Sequence, residues 1–463
     1  MRPYQRSLLD QEPESFLPIK IREEHEMLVL SKVLDWDLMQ AISEANRDEV
    51  IKSNRGLKPH YRALNGAVVV RSLKGCDLRS TEDLIAHYAP ARFLCDLHNS
   101  HWTPDHNTIW EYEVMLGEKG LKELTDYILK TAVENGFADP RGLCSDTTAQ
   151  EGNIPHPTEV GHMNSFMKSF RSNLETLLKN SKGLGGKLID SMKKGFSKVA
   201  QKVRSHRLFA KTTRARNQIN QDLLACTQSL QGKLGQLLQD IDLKSNQVRG
   251  MGKRALNNLN ENYHHLCQML SQIQTWIENG KVVQGKIVSL FNPDLRAIKR
   301  GKVGKSVEFG LKWGINQIRG GYVSIFMAAR MMAYDADYAV LGVEEHIRLF
   351  GQAPRDFGFD RGGWSAEHKK AIRDLGVKNL TIAPKGRAPW EVGPRVKERM
   401  IKERAQIEGK IGTMKRHGLN KPEARSSLGM RRSALRAGLS FNLRRLAKDM
   451  VTMVQNLEAC TAA

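Results

Sequence analysis

VEFGLKWGINQIRGGYVSIF, residues 307–326, is the stretch that decides the fold. From Val307 to Ile315 the side chains alternate, the period-two signature of a strand. Tyr322 to Phe326 alternates again, and Gly320-Gly321 between the two runs is a tight hairpin turn. Downstream the pattern predicts a helix over about Leu341–Leu349, a strand over Asp356–Asp360, a helix over Ala366–Leu375 and a short strand over Asn379–Ala383. A further helix follows, through Arg404–Lys415. Upstream, Leu143–Ala149 is another strand-like run. A turn signal, Asp139-Pro140-Arg141-Gly142, precedes it, and the proline-bearing loop EGNIPHPTEVG follows. Strand, long insertion, hairpin, then alternating helices and strands make an α/β layout with a mixed sheet.

The insertion, residues 165–300, is helical and basic. Leu223, Leu230, Leu234, Leu237 and Ile241 repeat at helical spacing. After Gly250 and Gly252 the series Leu256, Leu259, Tyr263, Leu266, Leu270, Ile273, Ile277 steps by three and four, an a/d pattern. Two such helices predict an antiparallel helical hairpin projecting from the sheet; the alternative is a heptad face that mates with another subunit. Ahead of them, Lys193, Lys194, Lys198, Lys202 and Arg204 are candidate contacts to a DNA backbone, against the alternative of a basic face serving only solubility. SKGLGGKL, from Ser181, lacks the spacing of a phosphate-binding P-loop.

Residues 1–135 read as an N-terminal helical domain, with an extended leader to about residue 34 that carries a short apolar segment, Met27–Leu30. Ser80 and Thr81 are candidate caps, and Thr103-Pro104-Asp105 marks a helix start, with Ile109, Trp110 and Leu116 on the helix that follows. The domain suits either a DNA-binding module or a structural cap. Residues 426–463 read as a basic amphipathic C-terminal helix.

The chain carries a net charge of +22 and a pI of about 9.7, which predicts a polyanionic partner, most often nucleic acid. The six cysteines are scattered without zinc spacing and read as buried thiols of a reducing cytoplasm. The histidines show no ligand spacing. The N-terminus has no apolar core of a signal peptide, and the most apolar run, Tyr322–Val343, is interrupted by Arg330, Asp335 and Asp337, so no membrane span is expected.

Three acids stand out. Asp146 ends a strand-like run, Asp360 ends another in FGFDRGG, and Glu408 lies on the late helix. There Arg404, Glu408 and Lys415 fall on one side, with Ile407, Ile411 and Met414 marking the apolar face. Lys402, Gln406, Lys410 and Thr413 point the other way. Glu408 either pairs with Arg404, four residues away, or serves a site. Ligands of α/β sheets gather at strand ends, and three carboxylates converge only around cations. Such oxygen ligands suit Mg²⁺ or Mn²⁺, two of which perform phosphodiester chemistry. Arg361 reads equally as a ligand contact or a local structural partner.

SDTTAQEGNIPHPTEVG, FGFDRGGWS and RAQIEGKIGTMKRHGLNK resemble, in order, the three acidic blocks of bacterial insertion-sequence DDE transposases. The third block of that family is Tyr, two residues, Arg, three residues, Glu, six residues, Lys. Arg404, Glu408 and Lys415 match it, while Ile401 stands where the tyrosine is usual. TPDHNTIWEY, from Thr103, resembles a segment of the family's N-terminal helical domain, departing at Glu111 and Tyr112. The resemblance implies an RNase H-like catalytic domain, discontinuous over 136–164 and 301–425. It implies Asp146, Asp360 and Glu408 as catalytic ligands of two divalent ions, with Arg404 and Lys415 facing DNA phosphates. The implied activity is metal-dependent cleavage of double-stranded DNA at element ends and strand transfer to a target, by an enzyme self-associating on DNA near the nucleoid. A catalytically inactive, DNA-binding derivative is the alternative.

Overall fold

The structure is a computed structural model that describes residues 21–51, 58–180, 186–242, 250–302, 305–329, 333–384, 389–420, 422, 424 and 426–462. The first twenty residues of the expected leader, and Ser181–Gly185 of the glycine-rich stretch, lie outside them.

The fold is mixed α/β, built on a six-stranded sheet. Its strands are β1 (Asp139–Glu151), β2 (Arg296–Lys302), β3 (Lys305–Arg319), β4 (Val323–Phe326), β5 (Asp356–Phe359) and β6 (Asn379–Ile382). The order is β2-β3-β1-β5-β6, with β4 also paired to β3. β3 runs antiparallel to β1, β2 and β4, whereas β1, β5 and β6 are parallel. The expected hairpin is β3–β4, and both turn glycines have positive φ, +94° at Gly320 and +89° at Gly321, where a side chain would strain the backbone. Asp139–Gly142, expected as a turn, opens β1 instead. The pairing with β3 shifts register between Asp139 and Leu143, so the irregularity that looked like a turn is a bulge within the strand.

Helices cover both faces. α11 (Asp335–Phe350) packs on β1 and β3, with α12 (Ala366–Asp374) against it. α13 (Pro394–Met414) crosses the other face over β1, β3, β5 and β6. It buries Met400, Ile407, Ile411 and Met414, the apolar face read from sequence. A one-turn π-helix, Lys415–Leu419, follows.

Six helices precede the sheet: α1 (Glu26–Val33), α2 (Trp36–Val50), α3 (Tyr61–Lys74), α4 (Leu78–His87), α5 (Ala89–Leu94) and α6 (His106–Glu134). The segment expected to be an extended leader is helical over α1, where Met27 and Leu30 are fully buried. Asp77, rather than Ser80 or Thr81, caps α4, and Asp105 caps α6 by accepting from the Thr108 amide at 2.7 Å. Ile109 and Leu116 are buried, but Trp110 is 50% exposed. The C-terminal helix α14 (Ser427–Ala462) is not a solvated tail. It buries Leu435, Leu439, Leu443, Leu446 and Met450 and packs on α1, α3, α6 and β4. One hydrophobic core therefore runs from Met27 through the sheet to Met450. Burying each of those leucines contributes about 2 kcal/mol, enough to hold α14 in place.

The insertion holds a second core. The leucine stripes of α9 (Thr213–Asp242) and α10 (Met251–Asn279) do face each other, as expected. They are half of a four-helix bundle, however, not a hairpin. α7 (Glu159–Lys179) adds Phe166, Phe170, Leu174 and Leu177, and α8 (Gly186–Phe209) adds Met192, Phe196, Val199 and Val203. A two-helix hairpin would leave one side of each stripe in water; four helices close it. Among the described residues no helix is long and apolar enough to cross a membrane.

Candidate active site

The parallel pairing of β1 and β5 runs Gly142–Asp356, Leu143–Phe357, Cys144–Gly358. Continued by two residues, it brings Asp146 level with Asp360, and adjacent strands lie about 4.8 Å apart. Asp360 follows the last residue of β5, but Asp146 does not end its strand as expected: β1 runs on to Glu151, paired with β3. A Cβ on Gly358 would meet the Cys144 sulfur at 3.3 Å and Met400 of α13 at 3.3 Å, so Cys144 and Gly358 point to the α13 face. Alternation along β1 puts Asp146 on that face too, while Asp360, just past β5, lies near both Arg404 of α13 and Asp335 of α11. Ser145, between Cys144 and Asp146, bonds Asn316 on the opposite face, below α11.

Each aspartate is held by its own chain. Asp146 Oδ1 accepts from the Thr147 amide at 2.7 Å. Asp360 caps the short 3-10 turn Arg361–Gly363, accepting from the Gly362 amide at 2.9 Å. A third acid, Asp335 at the start of α11, comes up from the far face. Its Oδ1 accepts from Thr147 Oγ1 at 2.9 Å and lies 2.8 Å from Lys312 Nζ. Burial raises the Asp360 carboxyl above its ordinary value, and the Asp335 carboxylate raises it further. The Gly362 and Gly363 amides and the Arg404 guanidinium pull it back. Sequence reading missed Asp335, noting it only as a break in an apolar run. Its position at the first turn of the helix after the hairpin was the available signal, since acids there complement the helix dipole.

Glu408 does not join the two aspartates. It is exposed, and among the described residues no hydrogen bond or ion pair engages it. Ile407 and Ile411 occupy the face against the sheet and leave Glu408 on the helix rim, one turn beyond Arg404. The expected set of three converging carboxylates is thus not assembled: among the described residues no group of three His, Cys, Asp or Glu side chains is placed to hold a metal ion. Repulsion among bare carboxylates favours this spread. The alternative reading, an Arg404–Glu408 ion pair, is not formed either. Arg404 is half-buried with its charge near Asp360, and Lys415 is half-buried at the end of α13. Arg361 is exposed. Lys410, expected to point away, packs inward beside Gly321, and burial with the nearby Arg445 lowers its ammonium to about 8. Its aliphatic stem lets it lie along the core.

The donors of Asp146 and Asp360 suit a hard dication. They are carboxylate oxygens, and the burial and like charge that penalise ionised Asp360 are what a cation relieves. Farther out, Lys193, Lys194, Lys198 and Arg204 of α8 are exposed and Lys202 is half-exposed. Lys193 pairs with Asp190 at 3.6 Å and Lys202 pairs with Asp222.

Comparisons with family models, with curated proteins and with solved structures found no match to this chain.

Proposed function

We propose that this chain is a DDE transposase with an RNase H-like core, which cuts double-stranded DNA at element ends and joins it to a target. The observation that carries the reading is the parallel register of β1 and β5, which continued by two residues sets Asp146, within β1, level with Asp360, just past the end of β5. Support also comes from the strand order, one antiparallel neighbour on one side of β1 and two parallel strands on the other, and from α13, which crosses the face of β1 that carries Asp146 and brings Arg404 near Asp360. The net charge of +22 supports a nucleic-acid partner.

In this reading Asp146 and Asp360 would hold Mg²⁺ or Mn²⁺, and Glu408 would complete the set from the rim of α13. Two such ions, when bound, supply an activated attacking oxygen and a stabilised leaving oxygen. The chain's own residues do the rest. Thr147 and Lys312 fix Asp335, which with burial holds negative charge against Asp360. Arg404, beside Asp360, is placed to receive a phosphate oxygen, and Lys415 and the α8 lysines to hold the backbone on either side. The position of Glu408 favours a second reading, a DNA-binding protein of the same descent that no longer cuts.

The test is nicking of supercoiled plasmid by the full chain. The proposal expects nicked product with Mg²⁺ or Mn²⁺ and none in EDTA. Binding without nicking under any divalent ion supports the second reading, and nicking that persists in EDTA removes the metal site.

A further inference from the structure

The end of α8, at its turn into α9, presents two apolar side chains to solvent: Leu208 is 55% exposed and Phe209 64%. They sit in the most basic stretch of the chain. Between Asp190 and Asp222 there is no acid, and there are nine cations, Lys193, Lys194, Lys198, Lys202, Arg204, Arg207, Lys211, Arg214 and Arg216. Arg204, Arg207, Lys211, Arg214 and Arg216 flank the two apolar residues, and all five are exposed without an acidic partner among the described residues.

The pairings within the bundle locate this turn. Lys233 Nζ meets Ser191 Oγ at 2.7 Å, Gln228 meets Gln274 at 3.2 Å and Asn262 meets Ser169 at 3.0 Å, so successive helices are antiparallel. The chain enters the bundle at Glu159 and leaves past Lys286, which are joined at 2.9 Å. The α8–α9 turn lies at that same end. It is the root of the bundle, toward the carboxyl end of β1, where Asp146 lies five residues before the strand ends at Glu151.

We propose that this turn is a wedge for double-stranded DNA: Leu208 and Phe209 enter a base step while the surrounding cations hold the phosphates. DNA as the partner rests on the proposed function. The wedge rests on the two exposed side chains and the charge around them. Proteins that kink duplexes use this combination, apolar side chains at a base step with Arg and Lys beside them, and offset the unstacking with added backbone contact. A lipid surface fits less well. The apolar area is two side chains wide, and the cations continue along α8, a helix about 36 Å long, instead of ringing the tip. A duplex turn is about 34 Å. At the root of the bundle, a kinked duplex would be directed toward the paired aspartates.

The experiment uses the full chain and a duplex of about three helical turns, with 2-aminopurine at several pyrimidine–purine steps and a fluorophore pair at its ends. Binding is expected to raise the 2-aminopurine signal and shorten the end-to-end distance. The double variant Leu208→Ser, Phe209→Ser is expected to lose both responses while its affinity falls less than about tenfold, because the cations remain. Both side chains are exposed, so the variant folds. Phe209→Trp is expected to be quenched by duplex and unaffected by phosphatidylserine vesicles. Unstacking by the double variant equal to wild type, or binding by wild type without unstacking, overturns the wedge and leaves the proposed function standing. A response of Phe209→Trp to vesicles but not duplex assigns the turn to membrane and overturns it. No binding to any duplex removes the DNA reading along with the wedge.

Discussion

Arg319 of β3 reaches across β1 to Asp356 of β5, its Nη2 3.1 Å from the carboxylate. It passes over Gly142, where a Cβ would stand 2.6 Å from that nitrogen. The same guanidinium meets Asp139 at 3.2 Å and Glu403 of α13 at 2.7 Å. Asp356 is only 2% exposed and is also met by Arg399 and Asn379. This cluster pins β1, β3, β5 and α13 together at the end opposite the candidate site. It fixes the register that makes Asp146 and Asp360 neighbours.

Arg319→Met should therefore destabilise the chain by about 3 kcal/mol, since it leaves buried carboxylates short of a partner. Gly142→Ala should act in the same direction by displacing the guanidinium. Denaturant unfolding measures both. A loss below about 0.5 kcal/mol for Arg319→Met would place the register elsewhere.

Burial lowers two histidines to about 4, His346 beneath the sheet and His162 in the bundle. In the unfolded chain each titrates near 6.5. Because the folded value is the lower one, their contribution is full above pH 6.5 and is lost as pH falls toward 4. Each is worth about 3 kcal/mol at most over that window. His346→Gln should flatten the acid limb of the stability curve, and an unchanged limb would mean that the ring titrates alike in the folded and unfolded chain.

The exposed cations of α8 should appear in the salt dependence of DNA binding. Replacing Lys194, Lys198 and Arg204 by Gln should weaken binding to all sequences alike and flatten the log K against log salt slope by about 0.9 per lost contact. Lys193 and Lys202, already paired with Asp190 and Asp222, should contribute less. An unchanged slope would remove α8 from the interface.

Alternation is local, so the β3–β4 hairpin, β5 and β6 were legible, and with them the place of Asp360 just past β5. The place of Asp146 was not: the polar run after it read as the end of a strand, whereas β1 continues to Glu151 against β3. The four-helix bundle was not, because the apolar positions of α8, such as Phe196 and Val203, are diluted by lysines that read as a solvated face. Nor was the burial of α14, whose arginines satisfy acids from distant segments, as Arg431 does with Asp294 and Arg436 with Glu113. Gly142 looked like a turn residue, and the structure shows it clears a path for Arg319. Asp335 reaches Thr147 only through the sheet, a contact that spacing along the chain does not encode.

Separating cleavage from binding shows whether Asp146 and Asp360 do the chemistry. Asp146→Asn, Asp360→Asn and Glu408→Gln would each be assayed for Mn²⁺-dependent nicking and for duplex affinity in EDTA. Each of the two aspartate variants should lose nicking by at least about a hundredfold while affinity stays within about threefold of wild type, and Glu408→Gln should behave like them. Wild-type nicking by either aspartate variant would contradict that role in the chemistry.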